Sequence, residues 1–343
     1  MTTREDVDGA AAPLLRIRDL RVSFGPDRYA VSGVDLDAHR GETVAIVGES
    51  GCGKSMSALA LMGLLPDGAR ADGSATLDGR ELLGRGARNM RGHRVSMIFQ
   101  DAATALNPLM SVGAQIREVL EIHGQLDRAA RRERAIALLD SVGVPDAEVR
   151  ARQLPHQLSG GLRQRVMVAV ALAARPDLII ADEPTTALDV TVQAQVLAVL
   201  RASASEAALL FITHDMGVVA EIADRVVVMY AGMVVENGPI GEVLDRPRHP
   251  YTAALLASVP DPDRPRAGDL PTIPGRVPAI GDRDDGCPFR QRCPKATDQC
   301  RERPTLAPTG DGSDGQVACW HPVDVAGENL YDDGLHDIGE VAP

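Results

Sequence analysis

The chain has 343 residues, of which 44% are hydrophobic, and its 36 basic and 48 acidic side chains give a formal net charge of -12. This length and apolar content predict one large folded domain with an appendage and exclude wholesale disorder. The acidic balance argues against a protein that holds nucleic acid on a basic face, although a local basic loop can still bind the phosphates of a nucleotide.

The first residues of the chain bear on its location. Residues 1–13 are predicted to form a loose tail, since they are charged and contain no apolar signal core. No run of about 18 uncharged apolar residues follows, so we expect a cytosolic chain without a membrane-spanning segment. Residues 14–259 instead alternate short β-type apolar runs with helical patterns, which predicts an α/β layered domain.

The first motif follows an apolar run at residues 43–47 and precedes a helical pattern at residues 56–65. It matches the phosphate-loop pattern G-x-x-x-x-G-K-[ST], and its residues are Gly48, Glu49, Ser50, Gly51, Cys52, Gly53, Lys54 and Ser55. Its glycines allow successive backbone N–H groups to face one phosphate, which the helix N-terminus also favours. We therefore predict that the loop binds ATP, with Lys54 on the terminal phosphates and Ser55 on Mg²⁺. The alternative, a glycine-rich turn without a ligand, is disfavoured by the strand and helix that flank it.

The middle of the domain is predicted to be helical. An apolar run at residues 95–99 ends at Gln100, and residues 115–139 are rich in Arg, Glu, Ala and Leu. This composition predicts helical structure that interrupts the sheet pattern, and we place it in a helical subdomain of about residues 104–158. The segment Ser159-Gly160-Gly161 follows, and taken alone it indicates an ordinary N-cap and turn before the next helical pattern.

Two acidic residues follow the next apolar run, at residues 178–181. A pair of carboxylates after a buried strand is costly unless a cation or hydrogen bonds compensate it. We predict that Asp182 completes the Mg²⁺ site begun by Ser55 and that Glu183 orients the attacking water beside the γ-phosphate. This interpretation places the strand next to the phosphate-loop strand, whereas the alternative is a strand that ends in solvated acids. Further apolar runs at residues 209–213 and 225–229 predict two more buried strands.

The order of these motifs resembles that of the ATP-binding-cassette (ABC) family over residues 14–259. Residues 158–161 match the first four positions of its Leu-Ser-Gly-Gly-Gln signature, and Leu162 replaces the final Gln. The resemblance implies a P-loop NTPase fold and a head-to-tail dimer. In that dimer the signature residues of one subunit bind the γ-phosphate held by the other subunit's phosphate loop; here they are Ser159, Gly160 and Gly161.

The resemblance also implies roles for isolated residues. Gln100 would be the Q-loop glutamine, which contacts Mg²⁺ and water and senses the membrane partner, and Asp189 would belong to the D-loop at residues 187–189. His214 would be the switch histidine that contacts the γ-phosphate, although a lone histidine at a strand end is more often a structural hydrogen-bonding residue. Phe24 or Tyr29 would stack on adenine, and Phe24 is preferred because Phe-Gly matches the usual aromatic-Gly form.

Three segments are similar to the branch of this family that imports dipeptides and oligopeptides: residues 100–108, 249–256 and 287–294. This branch implies an ATPase on the cytoplasmic face of the membrane. Its partners would be a second ATPase subunit in a homo- or heterodimer, two transmembrane permeases and an extracytoplasmic solute-binding protein, with no nucleic acid. Importers of nickel or other small solutes share much of this pattern and stay open as an alternative. A non-transport ABC ATPase and a redox-sensing binding module stay open as well.

The last part of the chain is predicted to hold a metal. A Pro- and charge-rich boundary at residues 261–266 lies in a segment of residues 260–322 that is poor in apolar side chains, and residues 323–343 form an acidic tail. The segment contains Cys287, Cys293, Cys300 and Cys319. Four thiols in one short segment suit a tetrathiolate site for [4Fe–4S] or Zn²⁺, with disulfides as a third option. The resemblance to peptide importers implies the iron–sulfur cluster.

Overall fold

The computed structural model describes residues 12–124, 126–186, 188–259, 272–283, 285–310, 312 and 314–323. The predicted boundary at residues 261–266 lies outside these ranges, as does Ala187 of the predicted D-loop. The same holds for all but the last two residues of the predicted N-terminal tail and all but the first residue of the acidic tail.

Strands and helices alternate through most of the described chain, as predicted. The strands are β1 (Leu15–Ser23), β2 (Tyr29–Ala38), β3 (Thr43–Val47), β4 (Arg70–Leu77), β5 (Arg80–Glu81), β6 (Val95–Ile98), β7 (Leu178–Asp182), β8 (Ala208–Thr213), β9 (Arg225–Tyr230), β10 (Met233–Pro239), β11 (Ala307–Pro308) and β12 (Gln316–Val317). The α-helices are α1 (Lys54–Met62), α2 (Ala102–Ala105), α3 (Val112–His123), α4 (Arg128–Ser141), α5 (Ala147–Arg150), α6 (Gly160–Leu172), α7 (Val190–Ala204), α8 (Met216–Ile222), α9 (Ile240–Asp245) and α10 (Pro250–Ala257). Within the described ranges, no helix combines the length and the apolar character needed to cross a membrane.

The larger of two sheets contains the predicted strands. Its strand order is β11-β12-β10-β9-β3-β8-β7-β6, and neighbouring strands from β9 to β6 are parallel. Every residue of β3, β7 and β8 is buried, as expected for parallel strands that are covered on both faces. The apolar runs at residues 43–47, 178–181, 209–213 and 225–229 are thus confirmed as β3, β7, β8 and β9. The smaller, antiparallel sheet has the order β2-β1-β4-β5.

The expectation that β3 and β7 are neighbours is wrong, because β8 lies between them. Both strands pair with β8 in parallel, so the carboxyl ends of all three strands lie at one edge of the sheet. That edge is where open α/β sheets bind ligands. The phosphate loop, Glu183 and His214 each follow one of these strand ends.

The predicted helical region is divided. Residues 115–139, predicted to be helical, contain most of two helices, α3 and α4. Helix α3 ends before Gly124, and α4 begins after Asp127, whose carboxylate accepts a hydrogen bond from the N–H of Ala130 at 2.8 Å. A glycine at a helix end and a carboxylate N-cap are sufficient local reasons for the break. These helices pack with α6 in a second apolar core, which covers one face of β7 and β8.

The C-terminal segment is joined to the α/β domain by strand pairing and by packing. Strand β12 pairs antiparallel with β10 at Glu236↔Val317, and β11 adds one more strand to the sheet. The fully buried Phe289 packs against Tyr230 and Tyr251, with ring centroids 5.2 and 5.4 Å away. The segment therefore shares the main core of the α/β domain, and the predicted domain boundaries stay a prediction.

Candidate nucleotide-binding site

The phosphate loop connects the end of β3 to the start of α1, as predicted. Gly48, Gly51 and Gly53 have φ angles of 149°, 82° and 97°, a region that other residues rarely adopt. A Cβ atom at Gly48 would lie 2.2 Å from the carbonyl oxygen of Met229, and one at Gly53 would lie 2.6 Å from that of Ala30. The backbone thus follows a tight curve that requires glycine. Helix α1 begins directly after it without a side-chain N-cap, so its first N–H groups can face a phosphate.

The side chain of Lys54 lies inside this loop. It is buried, and its ammonium donates hydrogen bonds to the carbonyl oxygens of Gly48 at 2.7 Å and Glu49 at 3.0 Å. Burial lowers the pKa of Lys54, and nearby acidic groups, including Asp182 and Glu183, oppose that shift. A cation held by neutral carbonyl oxygens can exchange them for phosphate oxygens, which carry full charge and form stronger hydrogen bonds.

The carboxylate of Asp182 has the properties of a magnesium ligand. It is 5% exposed, and its Oδ1 has no hydrogen-bond partner among the described residues. Burial raises the pKa of Asp182, and Ser55 and Lys54 oppose the shift. A buried acceptor without a partner is unfavourable by roughly 1–3 kcal/mol, which a bound cation would relieve. A carboxylate and a hydroxyl in these positions fit Mg²⁺.

Three residues predicted to act in hydrolysis form one hydrogen-bonded group. The Oε2 atom of Glu183 accepts a hydrogen bond from Gln100 Nε2 at 3.1 Å, and its Oε1 atom lies 3.1 Å from His214 Nδ1. Oε2 also accepts a hydrogen bond from the Thr186 hydroxyl at 3.1 Å. Glu183 has a φ of 48°, a conformation that stores roughly 1–3 kcal/mol in a non-glycine residue. The surrounding bonds therefore hold this carboxylate in a defined position.

The predicted signature segment begins α6. Ser159 is the N-cap of this helix, and its hydroxyl accepts a hydrogen bond from the N–H of Leu162 at 3.4 Å. Gly160 and Gly161 form the first turn, and a Cβ atom at Gly160 would meet no other atom within 4 Å. Asp189 caps α7 in the same way, through the N–H of Val192 at 3.0 Å. Ser159, Gly160 and Asp189 are exposed, which the predicted contact with a second subunit requires.

The two aromatic candidates for adenine stacking lie at opposite ends of the turn between β1 and β2. Phe24 and Tyr29 are both half-buried, and Phe24 packs in part against the main core. The guanidinium of Arg283, from the C-terminal segment, donates a hydrogen bond to the Tyr29 carbonyl at 2.8 Å. The preference for Phe24 stays a prediction.

Sequence reasoning missed several residues that contact the site. Gln164, on the buried side of α6, donates a hydrogen bond to the Pro184 carbonyl at 2.9 Å and so links the signature helix to the acidic strand end. Tyr251 and Arg292 both bind Glu49, the second residue of the phosphate loop. They lie in the segments at residues 249–256 and 287–294, which served only to place the chain in a family branch. Those motifs were the available signal, but they did not indicate what their side chains contact.

The predicted metal site in the C-terminal segment is not supported. None of the five cysteines forms a disulfide, and the described part of the chain contains no group of three or more His, Cys, Asp or Glu side chains that could hold a metal ion. Cys287 and Cys300 belong to the main core, where they act as small apolar side chains. Burial raises the pKa of Cys293 to about 11 and that of Cys319 to about 12, and the neighbouring thiols of the segment add to both shifts.

Two parts of the chain match known protein families. Residues 31–186 match the ABC transporter family, and residues 235–300 match the C-terminal region of oligopeptide/dipeptide transporters. The oligopeptide transport ATP-binding protein OppD of Salmonella typhimurium is 47% identical over 319 residues, which cover 91% of this chain and 94% of that protein. The dipeptide transport ATP-binding protein DppD of Escherichia coli is 47% identical over 327 residues, which cover 92% of this chain and 98% of that protein.

Solved structures share the fold. The dimeric, post-hydrolysis structure of the ATP-binding cassette MJ0796 bound to ADP and Pi has a TM-score of 0.60 and 26% identity, covering 66% of this chain and 98% of that one. The structure of cbiO1 from Clostridium perfringens, part of an ABC transporter complex, has a TM-score of 0.58 and 26% identity, covering 68% and 91%. These alignments confirm the predicted P-loop ATPase fold.

Proposed function

This chain belongs to the ATP-binding proteins of ABC transporters, in the branch with an oligopeptide/dipeptide-transporter C-terminal region, and on that premise we propose that it powers peptide import. It hydrolyses ATP as a subunit of a membrane importer for di- or oligopeptides. The observation that best supports this function is the hydrogen-bonded group of Gln100, Glu183 and His214, which lies near the loop that encloses Lys54.

The proposed ATP site combines backbone and side-chain groups. The phosphate loop would bind the phosphates through N–H groups at the start of α1 and through Lys54. Ser55, Asp182 and Gln100 would hold Mg²⁺, which when bound offsets the negative charge of the phosphates. The carboxylate of Glu183, fixed by its partners, would align an attacking water and accept its proton.

A second subunit would complete this site. Ser159, Gly160 and Gly161 at the exposed start of α6 would bind the γ-phosphate on the partner's phosphate loop, with Asp189 at the same interface. The dimeric state of the MJ0796 cassette with ADP and Pi supports this arrangement. His214, which shares the carboxylate of Glu183, would contact the γ-phosphate of its own subunit. The partner ATPase is either a second copy or a relative.

Peptides are the proposed cargo because the relatives are named for oligopeptide and dipeptide transport. The further partners would be two transmembrane permeases and an extracytoplasmic solute-binding protein, and no nucleic acid. This assembly would place the chain at the cytoplasmic face of the membrane. An iron–sulfur cluster is not part of the proposal, because the described residues form no group able to hold a metal.

Reconstitution of the chain with its partners in liposomes tests the proposal. Glu183→Gln should bind ATP and stay dimeric but hydrolyse it roughly a hundredfold more slowly or worse, since it removes the proton acceptor. Lys54→Ala should abolish ATP binding. Full turnover by E183Q would remove Glu183 from hydrolysis, and uptake of Ni²⁺ without uptake of peptides would refute the peptide cargo.

A further inference from the structure

We infer that Arg292 is a positioning residue for the nucleotide: it holds the phosphate loop through Glu49 and thereby sets the affinity for ATP. This inference rests on the proposed function, since it concerns the same loop. Arg292 lies in the C-terminal segment, 243 residues beyond Glu49 along the chain. The contact therefore joins a segment outside the ATPase motifs directly to the phosphate loop.

The guanidinium of Arg292 is fixed on several sides. Its side chain is 6% exposed, and Nη1 donates hydrogen bonds to Glu49 Oε1 at 2.9 Å and to the Tyr230 hydroxyl at 3.2 Å. Nε and Nη2 donate to the carbonyl oxygens of Pro274 at 2.6 Å and Ile273 at 3.1 Å. The guanidinium also lies 5.7 Å from the centroid of the Tyr230 ring, within the range of a cation–π contact. A cation held by this many partners presents a fixed charge to Glu49.

Glu49 is in turn held at three points. Its carboxylate binds Arg292, its N–H donates to the Tyr251 hydroxyl at 2.8 Å, and its carbonyl accepts a hydrogen bond from Lys54 at 3.0 Å. Tyr251 is fully buried near the start of α10, where its N–H donates to His249 Nδ1 at 3.0 Å. One residue therefore connects the C-terminal segment, α10 and the lysine that would bind the phosphates.

A second arginine of the C-terminal segment touches the same loop. Arg283 donates hydrogen bonds to the carbonyl oxygens of Ala30 at 3.3 Å and Gly51 at 3.4 Å. The Ala30 carbonyl is also the atom that a Cβ at Gly53 would meet. Arg283 and Arg292, both from the C-terminal segment, thus hold the phosphate loop in its curved conformation.

The charge of Glu49 makes the role of Arg292 testable. A carboxylate in a loop that binds a triphosphate repels the ligand unless a cation offsets it. Removing Arg292 leaves the partly buried Glu49 carboxylate unpaired, so it repels the triphosphate. Removing the Glu49 carboxylate as well abolishes this repulsion. A role confined to fold stability would change and restore Tm alone, whereas the proposed role changes and restores the affinity for ATP.

The experiment compares R292A, E49Q and R292A/E49Q in the full chain with its partner subunits. It measures the affinity for a fluorescent ATP analogue, KM for ATP, kcat and Tm. R301A is the matched control, because Arg301 lies in the same segment but forms a surface pair with Asp298 at 3.2 Å, 74% exposed. We expect R292A to weaken ATP binding roughly tenfold and to raise KM in parallel, with kcat within about twofold of wild type. R292A/E49Q should regain most of the affinity, and R301A should match wild type.

The opposite results are equally clear. If R292A lowers Tm but binds ATP like wild type, or if R292A/E49Q binds no better than R292A, Arg292 has only a structural role and the inference is wrong. Should R292A not fold, R292Q and R292Q/E49Q replace it, because glutamine can still donate to a backbone carbonyl. A wild-type chain that ignores Mg·ATP would refute the proposed function itself, whereas binding by wild type and R292A alike refutes only the role of Arg292.

Discussion

Replacing Glu236 by glutamine should change how the stability of the protein depends on pH. Glu236 is 2% exposed in β10, and its carboxylate accepts hydrogen bonds from the N–H groups of Arg248 at 2.7 Å and His249 at 2.9 Å. Burial raises the pKa of Glu236 to about 7, and the hydrogen bonds oppose this only in part. The residue matters to the site because it holds the start of α10, which carries Tyr251 to the N–H of Glu49.

The sign of the effect follows from the direction of the shift. A carboxyl group whose pKa is raised by folding stabilises the folded state while it is protonated. That contribution is fully present below the ordinary value of 4.5 and is lost as the pH rises through about 7. One pKa unit corresponds to about 1.4 kcal/mol. Titration of Glu236 in the folded and unfolded states should therefore lower the free energy of unfolding by about 1 kcal/mol between about pH 6 and about pH 8.

The neighbouring His249 acts in the opposite direction. Its complete burial lowers its pKa from 6.5 to about 3, so its contribution is present above 6.5 and is lost as the pH falls below that value. Between about pH 6 and about pH 8, the titration of His249 should raise the free energy of unfolding by about 1 kcal/mol. The two effects largely cancel in the wild type, and single variants separate them.

Urea unfolding followed by circular dichroism at constant ionic strength measures both. The difference in unfolding free energy between wild type and E236Q should fall by about 1 kcal/mol from about pH 6 to about pH 8. H249N, which keeps an N-cap side chain for α10, is the control of opposite sign: its difference from wild type should rise over the same range. A difference between wild type and E236Q that stays constant or rises with pH would refute the reasoning.

Two further predictions test the geometry of the site. Gly53→Ala should weaken nucleotide binding roughly tenfold or more, since its Cβ would lie 2.6 Å from the Ala30 carbonyl at a φ of 97°. Gly51→Ala, where a Cβ meets no atom within 4 Å, should weaken binding less, and equal losses in titration calorimetry would contradict the steric argument. Gln164→Leu leaves the Pro184 carbonyl without its donor and should lower the unfolding free energy by roughly 1–3 kcal/mol. Unchanged urea unfolding would show that this hydrogen bond contributes nothing.

The parts of the fold that depend on local sequence were predictable. Continuous apolar runs predicted β3, β7, β8 and β9 with ends within one residue of those observed. The reason is that a strand buried on both faces has apolar residues at nearly every position. The order of those strands was not predictable in the same way. The strand order depends on where each connecting segment returns the chain to the sheet. β8 lies between β3 and β7, and the amino acids of these three strands do not indicate that order.

The same limit applies to the site. The glycines and the lysine of the phosphate loop are adjacent in sequence, so one motif predicts their shared geometry. Glu49 instead meets Tyr251 and Arg292 across 202 and 243 residues, and no periodicity relates such distant positions. The four cysteines of the C-terminal segment show a different limit, because their closeness in sequence predicted a metal site that the described residues do not support.

The two short strands after residue 300 have a consequence for the sheet edge. β12 occupies the outer side of β10, and the N–H of Ala318 donates to the Val235 carbonyl at 2.9 Å. A chain shortened after α10 would leave that side as an open row of main-chain donors and acceptors on a strand that begins with three apolar residues and is more than half buried. Such a chain should associate with itself through this edge as its concentration rises, so solubility would be lost along with the C-terminal segment.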